Sequence, residues 1–200
     1  MIAVIDYGAG NLKSVTNALD FIKARYKVTS SAEDIKKADK IIFPGVGAFG
    51  DCVSSLKKKK IFDVLKKEIV KKPFLGICLG MQVLFESSEE SSGIEGLGLF
   101  KGKVRKFQSK TLKIPQIGWN SINVMKKSEL LKGVADGSYL YLVHSYYADP
   151  DDEKIVLTKT SYGIDYCSGI ADGNVFGVQF HPERSGEIGL RILKNFVGLK

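Results

Sequence analysis

The chain has 200 residues, is 44% hydrophobic and has a mean hydropathy of -0.02, which describes an ordinary soluble globule able to bury a sizeable core in one domain, residues 1–200. Its formal net charge is +8, yet arginine is scarce and no aromatic-rich basic motif accompanies the run Lys57–Lys60, so a solvated face or docking rim suits that run better than a nucleic-acid site. No window approaches the roughly 18 uninterrupted apolar residues of a membrane span, and Cys52, Cys78 and Cys167 include no C-x-x-C, which argues against a disulfide framework or structural zinc.

Ile2 to Asp6 (IAVID) is an apolar run without a basic leader or cleavage site, so it reads as a first strand and not a signal peptide, and the cytosol is the expected compartment. The turn YGAGN follows, and Leu12, Val15, Leu19 and Ile22 then repeat at helical spacing. YGAGN lacks the third glycine of a dinucleotide loop. Lys27–Thr29, a helix at Ala32–Lys37 and a strand at Lys40–Phe43 continue a β-α-β-α-β rhythm, which predicts a parallel sheet covered by helices on both faces. Pro44 to Gly50 (PGVGAFG) then reads as a Gly-rich loop beyond a strand's carboxyl end. It is either a flexible turn or a backbone approached by substrate, with N–H groups available to a developing oxyanion.

Lys57–Lys60 lies between two helical segments, the second with Ile61, Phe62, Leu65 and Ile69 on one face. It leads to Pro73–Gln82 (PFLGICLGMQ), where a short apolar strand runs into Gly76-Ile77-Cys78-Leu79-Gly80. G-x-C-x-G has the spacing of a nucleophile elbow, a sharp strand-to-helix turn in which bulkier residues beside the nucleophile would collide. A helix from Met81 to Glu86 would place Cys78 near its positive end and favour the thiolate. The pattern alone leaves open a second reading, a small buried thiol among packing glycines.

Ser87–Gly98 reads as a long surface loop. Short β-rich segments follow at Leu99–Phe107, Ile114–Val124, Tyr139–Tyr147, Lys154–Ser161, Ile164–Ala171 and Asn174–Phe180, with Tyr139–Val143 as a core strand. Ile188, Ile192, Leu193 and Phe196 mark a closing amphipathic helix. The expected fold is α/β, a three-layer, flavodoxin-like sandwich around a mainly parallel sheet, with additional strands in the second half.

A cysteine nucleophile needs a base, and there are two histidines. His181, in GVQFHPERS, sits just beyond a strand end, with Glu183 two residues on as a carboxylate able to fix its tautomer. His144 has no carboxylate before Asp149 and reads as a pocket-edge residue or a satisfied core histidine. Two histidines so far apart make a metal site improbable, and no cofactor is expected.

PGVGAFG, GICLGMQ and GVQFHPE, in that order, resemble the class I, or triad, glutamine amidotransferase family; YGAGN, PQIGWN and VHSYY extend the likeness across nearly the whole chain. The resemblance implies a Cys78–His181–Glu183 triad that hydrolyses glutamine. It also implies oxyanion donors at Leu79 and the Val46–Gly47 turn, which the family is thought to rearrange on activation. Gly47, Gln82, Glu90, Ser145 and Tyr146 match positions that hold the substrate's amino acid moiety. The longer likeness points to a member that passes ammonia through a tunnel to a TIM-barrel cyclase subunit in a heterodimer, docking through Asn11, Tyr141 and Arg184 with Trp119 at the edge. Gln116 replaces a common histidine and Arg184 a common lysine. These departures motivate an alternative, a paralogue that feeds another ammonia acceptor such as a surface sugar, while the charge motivates a third, a non-catalytic docking or nucleic-acid protein.

Overall fold

All four side chains of the first strand, Ile2–Ile5, are buried, but in two different cores. Successive side chains of a strand point to opposite faces, so Ala3 and Ile5 join one core while Ile2 and Val4 join the other. The computed structural model describes Met1–Leu199. Its first half runs β1 (Ile2–Ile5), α1 (Leu12–Phe21), β2 (Tyr26–Thr29), α2 (Ala32–Lys37), β3 (Lys40–Gly45), α3 (Phe49–Lys58), α4 (Phe62–Glu68), β4 (Phe74–Cys78) and α5 (Leu79–Gln82). The second half adds β5 (Phe85–Ser88), β6 (Phe100–Lys106), β7 (Gln116–Ser121), β8 (Asn123–Val124), β9 (Tyr139–His144), β10 (Tyr146–Pro150), β11 (Val156–Ser161), β12 (Asp165–Asp172), β13 (Val175–Val178) and α6 (Gly186–Gly198).

Parallel strands lie in the order β2-β1-β3-β4-β13, the flavodoxin-like arrangement, and β12, β10 and β6 extend the sheet antiparallel from β13. β11 joins through β12, while β7 and β9 form a separate antiparallel ribbon. Helices α2, α3 and α4 bury Ile35, Leu56 and Leu65 in the core on one face, whereas α1 and α6 bury Leu19 and Phe196 in the core on the other. The expected three-layer α/β architecture is the one observed. Because β3, β4 and β13 are parallel neighbours, the segments leaving their carboxyl ends meet along one edge.

Local departures from the sequence reading share one cause, backbone pairing with distant segments. Pro44 and Gly45 belong to β3, opposite Ile77 and Cys78 of β4. The β1 partnership reaches only Ile42, so the missing N–H of Pro44 breaks no ladder there. With Phe49 and Gly50 starting α3, the loop shrinks to Val46–Ala48. The expected helix at Met81–Glu86 is instead the single turn α5 followed by β5. The carbonyls of Val83, Leu84, Phe85 and Glu86 accept from the returning N–H groups of Leu97, Leu99, Gly98 and Gly96, in place of helical partners. Ser87 and Ser88 thereby become strand and not loop. In β9, Leu140, Leu142 and His144 are buried, whereas Tyr139 is exposed and Tyr141 and Val143 are half-buried, so only alternate residues of that expected core strand enter the core.

Candidate active site

Cys78 ends β4 with φ 54° and ψ -109°, a conformation L-residues rarely hold, so the backbone is strained at the residue that the elbow pattern singles out. The flanking glycines have steric reasons. A Cβ on Gly76 would lie 2.4 Å from the Gly80 carbonyl oxygen, and one on Gly80 would lie 1.8 Å from that of Phe43. The turn thus packs backbone against backbone beneath the thiol. Because α5 is only four residues long, the helical field available to Cys78 is that of one turn.

His181 follows β13 and is 3% exposed, with its backbone N–H donating to the Tyr141 carbonyl at 2.9 Å. Its Nδ1 lies 2.8 Å from Glu183 Oε1, and both side chains are almost wholly buried. Burial pushes the imidazolium down in pKa, but the Cys78 sulfur and the Glu183 carboxylate outweigh it and raise His181 to about 10. Its Nε2 is buried without a well-formed hydrogen bond, and the Cys78 sulfur is the partner on that side that stabilises the ring's cation. A cationic imidazole held on one nitrogen, beside a sulfur at the mouth of a strained turn, can stabilise a thiolate and then deliver a proton.

A cleft of about 320 Å³ opens in front of Cys78. Val46, Gly47, Leu79, Gln82, Glu90, Ser145 and Tyr146 all line it, so the expected oxyanion and substrate positions come together around one space. Glu90 is anchored by accepting from the Phe49 N–H at 2.7 Å. The Val46 N–H does not point freely into the cleft. It donates to the Tyr7 hydroxyl at 2.9 Å, and that hydroxyl donates back to the Val46 carbonyl at 2.6 Å. One buried tyrosine therefore grips both polar groups of the residue at the expected oxyanion turn.

Sequence reasoning missed Tyr7 and also Gln179, a fully buried side chain that donates to Cys78 Sγ at 3.4 Å. Both signals were present. Tyr7 follows β1, the parallel neighbour of β3, and Gln179 stands two residues before His181 at the same strand end. His144 is a satisfied core histidine at the cleft wall, with Nδ1 donating to the Tyr146 carbonyl at 2.8 Å and Nε2 at 3.1 Å from the Tyr166 hydroxyl. Burial lowers its pKa to about 4. Burial likewise pushes the thiols of Cys52 and Cys167 up, so neither is a ready thiolate.

Three of the expected docking residues form a ladder beside His181. The Arg184 guanidinium lies 4.7 Å from the centre of the Tyr141 ring, and Trp119 meets that ring edge-on at 6.2 Å while remaining 55% exposed. Asn11 caps α1, accepting from the Ser14 N–H, and is exposed. Gln116 is buried against the Tyr166 hydroxyl, which gives that departure an internal role. Among the described residues, no group of three or more His, Cys, Asp or Glu side chains could hold a metal ion, and no helix is long and apolar enough to cross a membrane.

Comparison with known proteins agrees with this geometry. The family model described as glutamine amidotransferase class-I matches residues 3–199. The chain is 52% identical over 200 residues to a protein of Bacillus cereus (strain G9842) named imidazole glycerol phosphate synthase subunit HisH, covering 100% of this chain and 95% of that one. It is 48% identical over 201 residues to the protein of that name from Methanocaldococcus jannaschii, covering 100% of both. Among solved structures, one titled glutamine amidotransferase superposes with a TM-score of 0.77 at 17% identity over 100% of both chains. PurLQS from Thermotoga maritima gives 0.74 at 21% identity over 98% of this chain and 96% of that one; at such identities these two speak for the fold. The full-length match at about half of all positions, on a strained cysteine elbow facing a buried histidine, places this chain in the class I glutamine amidotransferase family.

Proposed function

We propose that the chain is the glutaminase subunit of imidazole glycerol phosphate synthase, acting as a single domain in the cytoplasm and forming a heterodimer with the cyclase subunit. The observation that carries the chemistry is the alignment of Cys78, His181 and Glu183 at two adjacent parallel strand ends, with the imidazole held cationic. The assignment to the histidine pathway is supported by the identity of about 50% to subunits of that name over the full chain.

In this reading the Cys78 thiolate attacks the carboxamide carbon of glutamine, and the carbonyl electron pair moves to oxygen, giving a tetrahedral intermediate. Its oxyanion is met by the N–H of Leu79 and a donor from the Val46–Gly47 turn. His181 Nε2 protonates the departing ammonia as the C–N bond breaks, leaving a glutamyl thioester. It then takes a proton from the water that hydrolyses the thioester and returns the thiolate. Glu183 holds Nδ1 throughout. The cleft residues Gly47, Gln82, Glu90, Ser145 and Tyr146 grip the amino acid end of the substrate. The Tyr7 grip on Val46 predicts low activity of the isolated chain, because a donor already paired with a hydroxyl serves no oxyanion. Ammonia leaves toward the partner past the Trp119, Tyr141 and Arg184 face, with Asn11 on the neighbouring helix end.

The test is release of glutamate and ammonia by the purified chain, alone and with the cyclase subunit and its nucleotide substrate. Weak hydrolysis alone and strong stimulation in the complex are expected. Cys78→Ala should abolish both, and stimulated hydrolysis surviving that change would remove Cys78 as nucleophile.

A further inference from the structure

Two glutamines are buried together, Gln82 in the cleft wall at 5% exposure and Gln179 at 0%. Gln82 Nε2 lies 3.0 Å from the Tyr146 carbonyl and 3.0 Å from Gln179 Oε1, and Gln179 Nε2 lies 3.4 Å from Cys78 Sγ. A carbonyl oxygen only accepts, so Gln82 must present its NH₂ group to Tyr146. The remaining proton of that group then needs an acceptor, which turns Gln179 Oε1 toward Gln82 and leaves Gln179 Nε2 toward the sulfur. The direction of the Gln179 amide is therefore set by a backbone carbonyl two steps away. Within a buried site, a donor aimed at a sulfur stabilises its anion far more than its thiol. The one-turn helix after Cys78 supplies only a short helical field, and the Gln179 donor adds to what that turn and the His181 cation give the sulfur.

We propose that Gln179 is a catalytic residue whose Nε2–H donates to the Cys78 thiolate, and that Gln82 is the positioning residue that aims it. The inference rests on the reading of Cys78 as the nucleophile. It also gives Gln82 a role besides lining the cleft, since its two amide protons are already committed and Tyr146, the carbonyl that anchors them, belongs to the cleft wall. Occupancy of the cleft and readiness of the thiolate are thus linked through one short hydrogen-bonded chain.

The experiment is the rate of Cys78 alkylation by iodoacetamide against pH, followed by peptide mass on the full-length folded protein without glutamine. Gln179→Leu should move the midpoint of the profile up by roughly one pH unit, with the plateau rate at high pH retained. Gln179→Met keeps an unbranched side chain of similar length but offers the thiolate no donor, so it should move the midpoint up about as far and covers the case in which the leucine variant does not fold. Gln82→Met should give a smaller shift of the same sign. Midpoints equal to the unsubstituted protein in folded Gln179 variants would overturn the proposal, and an unmoved midpoint in Gln82→Met would overturn the positioning role. The profile is read without turnover, so a failure here is distinct from a failure of the glutaminase reading, which the Cys78→Ala assay exposes.

Discussion

His181 and His144 are buried to nearly the same degree, 3% and 6% exposed, yet the first is raised to about 10 and the second lowered to about 4. Burial opposes charge on both. The difference lies in what each ring meets: a carboxylate and the Cys78 sulfur at the end of β13, a peptide carbonyl and a tyrosine hydroxyl at the end of β9. Depth therefore does not make a histidine functional. An anionic partner that outweighs desolvation does, and one of the two rings is set for proton transfer while the other props the cleft wall.

The largest test of this contrast is the pair His181→Gln and His144→Gln. The first should cost about 10³-fold or more in stimulated glutamine hydrolysis, because it removes the proton carrier. The second should cost about tenfold or less, acting through the wall at Tyr146. Comparable losses in steady-state assays of both variants would break the contrast. Next in size, Glu183→Gln removes the partner that holds Nδ1, and a loss of about 10²-fold in kcat is expected together with a fall in the His181 pKa, measured by NMR titration of the ring. An unmoved titration would assign the raised value to Cys78 alone.

The smallest effect is on stability against pH. His144 is neutral in the fold and its folded pKa lies below the ordinary 6.5, so its contribution is present above 6.5 and is lost as pH falls toward about 4. The shift corresponds to roughly 3 kcal/mol at most. His181 has the opposite sign: its contribution is complete below 6.5 and disappears as pH rises toward about 10. Denaturant unfolding between pH 6.5 and 5 should therefore show a decline that flattens in His144→Gln and persists in Glu183→Gln. The reverse pattern would mean that the two environments had been exchanged.

Much of the site was legible because its parts are local patterns at strand ends. G-x-C-x-G states its own steric logic, and the close approaches built into Gly76 and Gly80 are that logic in three dimensions. His181 with Glu183 is a two-residue spacing that a short turn, Pro182–Arg184, makes into a 2.8 Å contact. The helix after Cys78 was misjudged for the same reason that the Pro44–Gly50 loop was: apolar periodicity and glycine content carry no information on which distant backbone will take up a carbonyl. Leu97 and Leu99 return to pair with Val83 and Leu84, and that pairing ends the helix after one turn.

By itself, then, the sequence determined the order of strands and helices up to β4, the three-layer class and Cys78, His181 and Glu183 as the candidate chemistry, since each depends on neighbours a few positions apart. Only the tertiary structure decided what those residues do to one another. Gln82 reaches Tyr146 across 64 positions and Gln179 across 97, and Gln179 reaches Cys78 across 101. The Tyr7 hydroxyl holds Val46 across 39. Hydrogen bonds and charge act over a few ångströms of space regardless of chain distance, so the aim of a donor and the sign of a histidine's shift exist only once the sheet has brought these strand ends together.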